Sequence, residues 1–394
     1  MGDILIITNY YPPEKGAAAN RIEQLALKLH QNKYKVTVLC PLGNYPKGEL
    51  FPQYKGKFSV TENLQNILVK RLWIYPSNSK NTIKRLISVL SFSLGLFFYL
   101  LFQKTPQKVV VQSPPLLLSF ISVFVLSLKR KKIILNVSDL WPTAAIELNV
   151  LKVNSFSHRI SLFLERFIYK KAHLILGQSK EIITHIYTVF PEKKCFLYRN
   201  FPEHQNVKID LETQKNEPIK IFYAGLFGVA QGVLELCEKI DLKDLNIELH
   251  LFGDGAEKTA IEAFISSDTD QKKFFHGMLE RNALHEILKT FDIAIVPLKT
   301  RIYGSVPSKI FEYCALGFPI LYFGGGEGEN IVNENSLGWV CKVENYTDLN
   351  EKLIELSKLS KSEIHKMKQT IFKKSQEVFN LEKQMNYLLD KGVF

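Results

Sequence analysis

The sequence predicts two doubly wound α/β domains in tandem, on three observations. Short apolar, β-rich runs alternate with longer helical ones, the alternation pauses once near the middle, and it then restarts with the same rhythm. The 394-residue length fits two such domains of ~100–200 residues each. In the first half the runs are "DILIIT", a helix over Asn20 to Gln31, "KVTVLC", "KVVVQS", "KIILNVS" and "HLILGQS". The polar stretch "EHQNVKIDLETQKNEP", Glu203 to Pro218, reads as the linker. The second half brings "IKIFYAG", "IELHLFGDG", "KKFFHG", "DIAIVPL" and "FPILYFGGG", then charged helices after Asp348. The expected division is 1–202, 203–375, and a last helix over 376–394 crossing back to the first domain. Ligands of such sheets sit outside the carboxyl ends of the strands, so the site is expected in a central cleft that the two domains face.

Composition narrows the partners. The chain is 46% apolar and 23% charged, as globular proteins are. Its five cysteines lack CxxC spacing and read as small hydrophobes in a reducing compartment, with no zinc site. The amino terminus enters an apolar run without a basic segment before it, so a cytoplasmic location is expected. A net charge of +12 favours anionic partners: nucleic acid, phosphorylated substrates or an acidic lipid leaflet. Nucleic acid is disfavoured, because the basic residues cluster beside apolar helices rather than among exposed aromatics. A dinucleotide-dependent oxidoreductase is disfavoured too, since no strand runs into GxGxxG with an acidic residue ~20 further on.

Two segments, Leu86 to Phe102 and Leu116 to Leu128, are unusually apolar for a soluble enzyme. The first is near the lower limit for spanning a bilayer and the second is too short. The first reading makes both of them buried packing helices. Basic residues at Lys84, Arg85, Lys104 and Lys129 to Lys132 support a second reading, a monotopic surface resting on an anionic leaflet. A spanning helix is the third.

The stretch "VPSKIFEYCALGFPIL", Val306 to Leu321, concentrates the chemistry. Pro307 suits a helix start, and Gly317 with Pro319 suits its stop. Ile310, Phe311 and Cys314 make a core-facing stripe. Lys309 and Glu312, three apart, share another face. A helix amino terminus with free N–H groups and an added lysine suits a phosphate, and a glutamate one turn deeper suits two neighbouring ribose hydroxyls. An ordinary i,i+3 surface ion pair fits the spacing equally well. "SDTDQ" holds a D-x-D, Asp268 to Asp270, which reads as a solvated loop ahead of lysines rather than a metal site.

"VPSKIFEYCALGFPIL" with "FGGGEGENIV" resembles the donor-binding segment of glycosyltransferase family 4, the retaining GT-B enzymes, in the branch of bacterial capsule, O-antigen and colanic-acid transferases that includes fucosamine transferases. The likeness extends through "ILIITNYYPPEKGAAANRIEQLALKLHQNKYKVTVLC", "VSDLWPTAAIEL", "YRNFPE", "FYAGLFGVAQGV", "LFGDG", "FHGMLERNALHEIL" and "DIAIVPL", in the family's order. It implies two Rossmann-like domains and a nucleotide-sugar donor, UDP-linked, with no metal or other cofactor. It also implies a lipid-linked saccharide acceptor at the inner leaflet of the cell membrane. By resemblance the backbone near Gly277 and Met278 holds the base, Glu312 the ribose, and Ser308 and Lys309 the diphosphate, helped by Arg301. Gly16, Ala17 and Gly225 let backbone approach the donor, and Asp139 in "SDLWP" stands near the acceptor hydroxyl. On local grounds Gly16 is equally a loop glycine and Asp139 equally a capping or turn residue. The leaving diphosphate is expected to help deprotonate the acceptor, while the protein positions the substrates and stabilises charge.

Three family positions differ. The first of two glutamates eight apart is replaced by Gly304, and Leu226 and Gln231 stand near the places of a phosphate-binding arginine and lysine. Two other functions stay open: a nucleotide-sugar epimerase of the same fold, and a non-catalytic membrane-associated assembly protein.

Overall fold

The computed structural model describes residues 2–79, 81–203 and 217–394, and the linker stretch expected at Glu203 to Pro218 falls largely outside them. The chain forms two compact units: Met1–Asn200 with Tyr303–Ser305 and Glu382–Phe394, and Phe201–Ile302 with Val306–Leu381.

The first unit contains β1 (Asp3–Ile7), α1 (Ala17–Gln31), β2 (Lys35–Pro41), β3 (Ser59–Leu64), β4 (Ile67–Leu72), α2 (Thr82–Phe102) and β5 (Lys108–Ser113). It continues with α3 (Leu116–Leu128), β6 (Lys132–Val137), α4 (Thr143–Glu147), α5 (Phe156–Lys171), β7 (Leu174–Gly177), α6 (Lys180–Val189) and β8 (Cys195–Leu197). The sheet order is β3-β4-β2-β1-β5-β6-β7-β8, parallel except for the β3–β4 hairpin. That hairpin turns at Gln65 and Asn66, both at positive φ, as a two-residue hairpin turn requires. Chain order reverses between β1 and β5, so the carboxyl ends of these strands and of β6 are where a ligand is expected. In α1 the buried Ile22, Leu25, Ala26 and Leu29 keep the spacing of one helical face.

The second unit contains β9 (Ile219–Leu226), α7 (Val233–Lys239), β10 (Ile247–Asp254), α8 (Lys258–Ser267), β11 (Lys273–Gly277), α9 (Arg281–Leu288) and β12 (Ile293–Pro297). It ends with α10 (Ser308–Ala315), β13 (Ile320–Phe323), α11 (Glu327–Glu334), β14 (Gly338–Cys341), α12 (Tyr346–Leu356) and α13 (Lys361–Val378). Its sheet is all parallel, in the order β11-β10-β9-β12-β13-β14, with the reversal between β9 and β12. α13 opens on a capping box between Ser360 and Glu363 and stays with this unit to its end.

The last helix, α14 (Leu381–Asp390), begins the segment that returns to the first unit from Glu382 onward. Glu382 pairs with Lys28 at 2.8 Å, the Arg199 N–H donates to Gln384 at 2.9 Å, and the Tyr34 hydroxyl donates to the Phe394 carbonyl at 3.1 Å. The five cysteines are free thiols, and all but Cys195 are buried.

The two apolar segments differ in fate. α3 is core, with Leu118, Val123, Val125 and Leu126 buried. The expectation of a buried helix fails for α2. Phe92, Leu96 and Leu100 enter the core, but Leu86, Leu90, Leu94, Phe98 and Phe102, spaced four apart, are exposed, Leu94 by 59% and Phe102 by 74%. Among the described residues nothing covers that ridge. By length and composition the stretch Ile83–Phe102 could cross a membrane.

Candidate active site

In the second unit the site begins where two neighbouring strands stop pairing. β9 and β12 pair only over Ile221 and Phe222 with Ile293 and Ala294. Beyond that point the Tyr313 hydroxyl, from α10, takes the place of a strand neighbour. It accepts from the Ala224 N–H at 3.0 Å and donates to the Ala224 carbonyl at 2.9 Å. Removing it leaves two buried backbone groups unpartnered, so Tyr313→Phe is expected to cost ~1–3 kcal/mol in denaturant unfolding.

α10 delivers the charged groups to this same strand end. Its helix runs as the sequence suggests, with Pro307 as cap, Ile310, Phe311 and Cys314 buried, and Gly317 at φ 86° just past the end. Lys309 reaches back over β9. A Cβ at Gly225 would lie 2.3 Å from both Cε and Nζ of Lys309, so only glycine admits the lysine there. The ammonium lies 5.5 Å from the Tyr223 ring centre and 5.8 Å from that of Tyr313. Among the described residues it has no hydrogen-bond acceptor. Burial lowers its pKa, and the charge of Glu312 opposes that shift. Glu312 accepts from the Ser308 hydroxyl at 3.1 Å instead of pairing with Lys309. The surface ion pair that the spacing allowed is not formed: the cation lies over the end of β9 and the carboxylate is held by a serine.

The remaining donor-side residues lie at neighbouring strand ends. Gly277, at φ 70°, ends β11, and the exposed Met278 follows it. Behind them Phe252, His276, His250 and Phe274 stack in sequence, with ring centres 4.5, 5.2 and 4.7 Å apart. Arg301 lies along the glycine loop after β13, where a Cβ at Gly326 would come within 2.9 Å of its Nε. The structure therefore gathers Gly225, Ser308, Lys309 and Glu312, and leaves Arg301 and the Gly277–Met278 turn on separate loops. Tyr223 and Tyr313 escaped the sequence reading, although Tyr313 stands four after Lys309 and so on its side of the helix.

Gly304 has a packing reason. It belongs with the first unit at φ 86°, and a Cβ there would press to 2.9 Å from Cγ1 of Ile182. Its N–H donates to Glu181 and that of Tyr303 to Glu147, each at 2.7 Å. A glutamate at this position would strain the backbone and have to push Ile182 aside. The D-x-D is not a solvated loop: Asp268 pairs with the buried Lys273 at 2.9 Å and accepts from the Asp270 N–H.

In the first unit Gly16 caps α1 without a side-chain bond, and it and Ala17 are exposed. Glu14, just before them, is buried and accepts from the N–H groups of Asn44 and Tyr45 at 2.9 and 3.0 Å, fixing the loop. Asp139 follows the carboxyl end of β6. Burial pushes its carboxyl up to about 6, against the Ser138 hydroxyl bond and the charge of Arg21. Arg21, fully buried on α1, was not foreseen.

Residues 205–374 match the family described as glycosyl transferases group 1. The chain is 24% identical over 401 residues to a Pseudomonas aeruginosa protein named as a probable glycosyltransferase, WbjE, covering 97% of this chain and 96% of that one. Among solved structures, TarM is similar at TM-score 0.69 and 11% identity over 99% and 98% of the two chains. Anabaena HepE with bound UDP and glucose is similar at 0.67 and 11% over 99% of each, and the lipopolysaccharide galactosyltransferase WaaB at 0.63 and 15% over 99% of each. The two parallel α/β units thus have the GT-B fold, and the second carries a group 1 glycosyltransferase domain. The chain is a glycosyltransferase.

Proposed function

We propose that the protein is a retaining, UDP-sugar-dependent transferase of family 4 that adds a sugar to a lipid-linked saccharide during assembly of a bacterial surface polysaccharide, of the capsule or O-antigen kind. The observation that carries the donor assignment is the half-buried Lys309, whose ammonium has no acceptor among the described residues, at the strand ends where chain order reverses. A diphosphate supplies the missing oxygens. HepE is similar in fold and was solved with UDP-glucose, which favours a UDP-linked donor.

In this reading the α10 amino terminus and Lys309 take the diphosphate, and Lys309 strengthens its hold as leaving-group charge develops. Glu312 takes the ribose hydroxyls, exchanging the Ser308 bond for two from substrate. Asp139 orients the acceptor hydroxyl, and a diphosphate oxygen removes its proton. Charge stabilisation thus comes from Lys309 and backbone, and transfer is expected to persist in EDTA. Glu312→Gln keeps the shape and loses the charge, so nucleotide binding measured by calorimetry should weaken by about 10- to 100-fold, the equivalent of ~1.5–3 kcal/mol. The carrying test is a thermal-shift panel of nucleotide sugars. Stabilisation by UDP-sugars supports the reading, whereas no response to any donor favours a non-catalytic assembly role.

The membrane half of the proposal rests on the exposed ridge of α2 together with Phe156, Ile160 and Phe163 of α5, Phe156 being 79% exposed. Exposed Arg159, Arg166, Lys170 and Lys171 accompany them on α5, and Lys84 and Arg85 on α2. An apolar surface edged with cations suits an anionic leaflet, on which the protein would rest from the cytoplasmic side. Co-sedimentation with anionic vesicles is expected at low salt and should weaken as salt screens the charges. Leu94→Ser with Phe98→Ser should abolish it. Of the basic cluster after α3, Lys129 and Lys131 donate to the carbonyls of Gln103 and Thr105, so α5 offers the cleaner charge variants. Indifference to such vesicles at low salt would refute the docking.

A further inference from the structure

A chain of side-chain hydrogen bonds runs from the buried Arg21 guanidinium to Asp139. Arg21 Nη2 donates to Asn136 Oδ1 at 2.7 Å, Asn136 Nδ2 to Gln112 Oε1 at 2.6 Å, and Gln112 Nε2 to Ser138 Oγ at 3.0 Å. Ser138 Oγ lies 3.3 Å from Asp139 Oδ2 and equally far from the Ser113 carbonyl, so its one proton is shared between them. The direction is forced. Arginine can only donate, which turns the Asn136 oxygen toward it, and that in turn settles the Gln112 amide and leaves Ser138 receiving at one end and donating at the other.

Arg21 has the features of a fixed charge source. Its Nη1 donates to Asn200 Oδ1 at 2.8 Å, its plane lies 4.5 Å from the Tyr198 ring centre, and its buried Nε has no partner. No carboxylate touches it among the described residues. A buried guanidinium held by amides and a ring costs stability without an ion pair in return. The ionisable groups acting on it are Tyr198 and Asp139, and Arg21 is the charged group acting on Asp139.

We propose that Arg21 is a positioning residue that, through Asn136, Gln112 and Ser138, orients the Asp139 carboxyl and keeps it ionised for its work on the acceptor. The proposal rests on the acceptor-side reading of Asp139. The dipoles of the two amides and the hydroxyl all point their positive ends toward the carboxylate, so each link adds to the attraction. Burial alone would otherwise favour the neutral acid, which would offer the acceptor a donor in place of an acceptor.

The test separates the wiring from the role. Melting temperature is measured from pH 4 to 8 for the protein and for Asp139→Asn, and the difference between the two curves reports the carboxyl's titration without any activity. The same pair is then made with Gln112→Met and, should that variant not fold, with Ser138→Ala. Cutting the chain is expected to move the titration midpoint up by about one pH unit, a tenfold change in proton affinity, and to move the acid limb of the turnover profile with it. An unchanged midpoint, with only a uniform drop in melting temperature, would overturn the wiring and leave the chain merely structural. A shifted midpoint beside an unshifted turnover profile supports the wiring and removes Asp139 from the reaction.

Discussion

Lys309→Ala is expected to lower turnover at saturating donor by about 10²–10³-fold, the range found when one preorganised donor to a developing charge is lost. Donor affinity should fall less, by about 10-fold, because the bond to the diphosphate exists in the ground state but strengthens as the leaving group forms. The loss should not come from unfolding. Among the described residues the ammonium has two aromatic rings and no acceptor for company, and burial already disfavours its charge. Lys309→Met should therefore hold or raise the melting temperature at neutral pH while lowering turnover as Lys309→Ala does. Gly225→Ala offers an independent check, since its methyl would occupy the place of the lysine's Cε and Nζ. Wild-type turnover in Lys309→Ala, measured with saturating donor, would remove the lysine from the reaction.

Asp139→Asn carries the second large effect, in opposite directions for activity and stability. Losing the carboxylate should lower turnover by about 10²-fold, as when a reacting group is no longer held in position. Stability should rise, and only on the alkaline side. The carboxyl titrates near 3.9 in an unfolded chain and near 6 here, so the folded state holds its proton more tightly. Below about pH 4 both states are protonated and nothing separates the variants. Between pH 4 and 6 ionisation becomes a growing burden on the fold, and above pH 6 the whole burden is present, on the order of 2–3 kcal/mol. Melting curves at pH 4 and pH 8 show this as a gain for Asp139→Asn at pH 8 alone. Equal curves for the two proteins at both values would contradict it.

Much of this was legible because parallel sheets write themselves plainly. Every strand read from the sequence, from "DILIIT" to "FPILYFGGG", is a strand, since those buried on both faces need unbroken apolar runs. The β3–β4 hairpin was missed because one of its faces meets water, which thins each run to alternate residues. α10 was readable in full, as Pro307, the Ile310–Phe311–Cys314 stripe and Gly317 all act locally. What Lys309 touches was not, because Gly225 and Tyr223 arrive from 80 and more residues away and only the fold joins them. Arg21 was hidden for the same reason: Asn136, Gln112 and Asn200 are polar residues in apolar company, unremarked until the sheet brings them around one guanidinium. α2 was read correctly as apolar, but its sequence could not show that only one side meets the core.

The most direct measurement is transfer itself. Purified protein is incubated with UDP-sugars and a membrane lipid extract, UDP release is followed, and the glycolipid product is examined by proton NMR for its anomeric coupling. The account predicts acceptor-dependent UDP release with one donor, and a product whose anomeric configuration matches that donor, both lost in Lys309→Ala. Release of UDP with an inverted product, or an epimerised sugar formed without any acceptor, would contradict it.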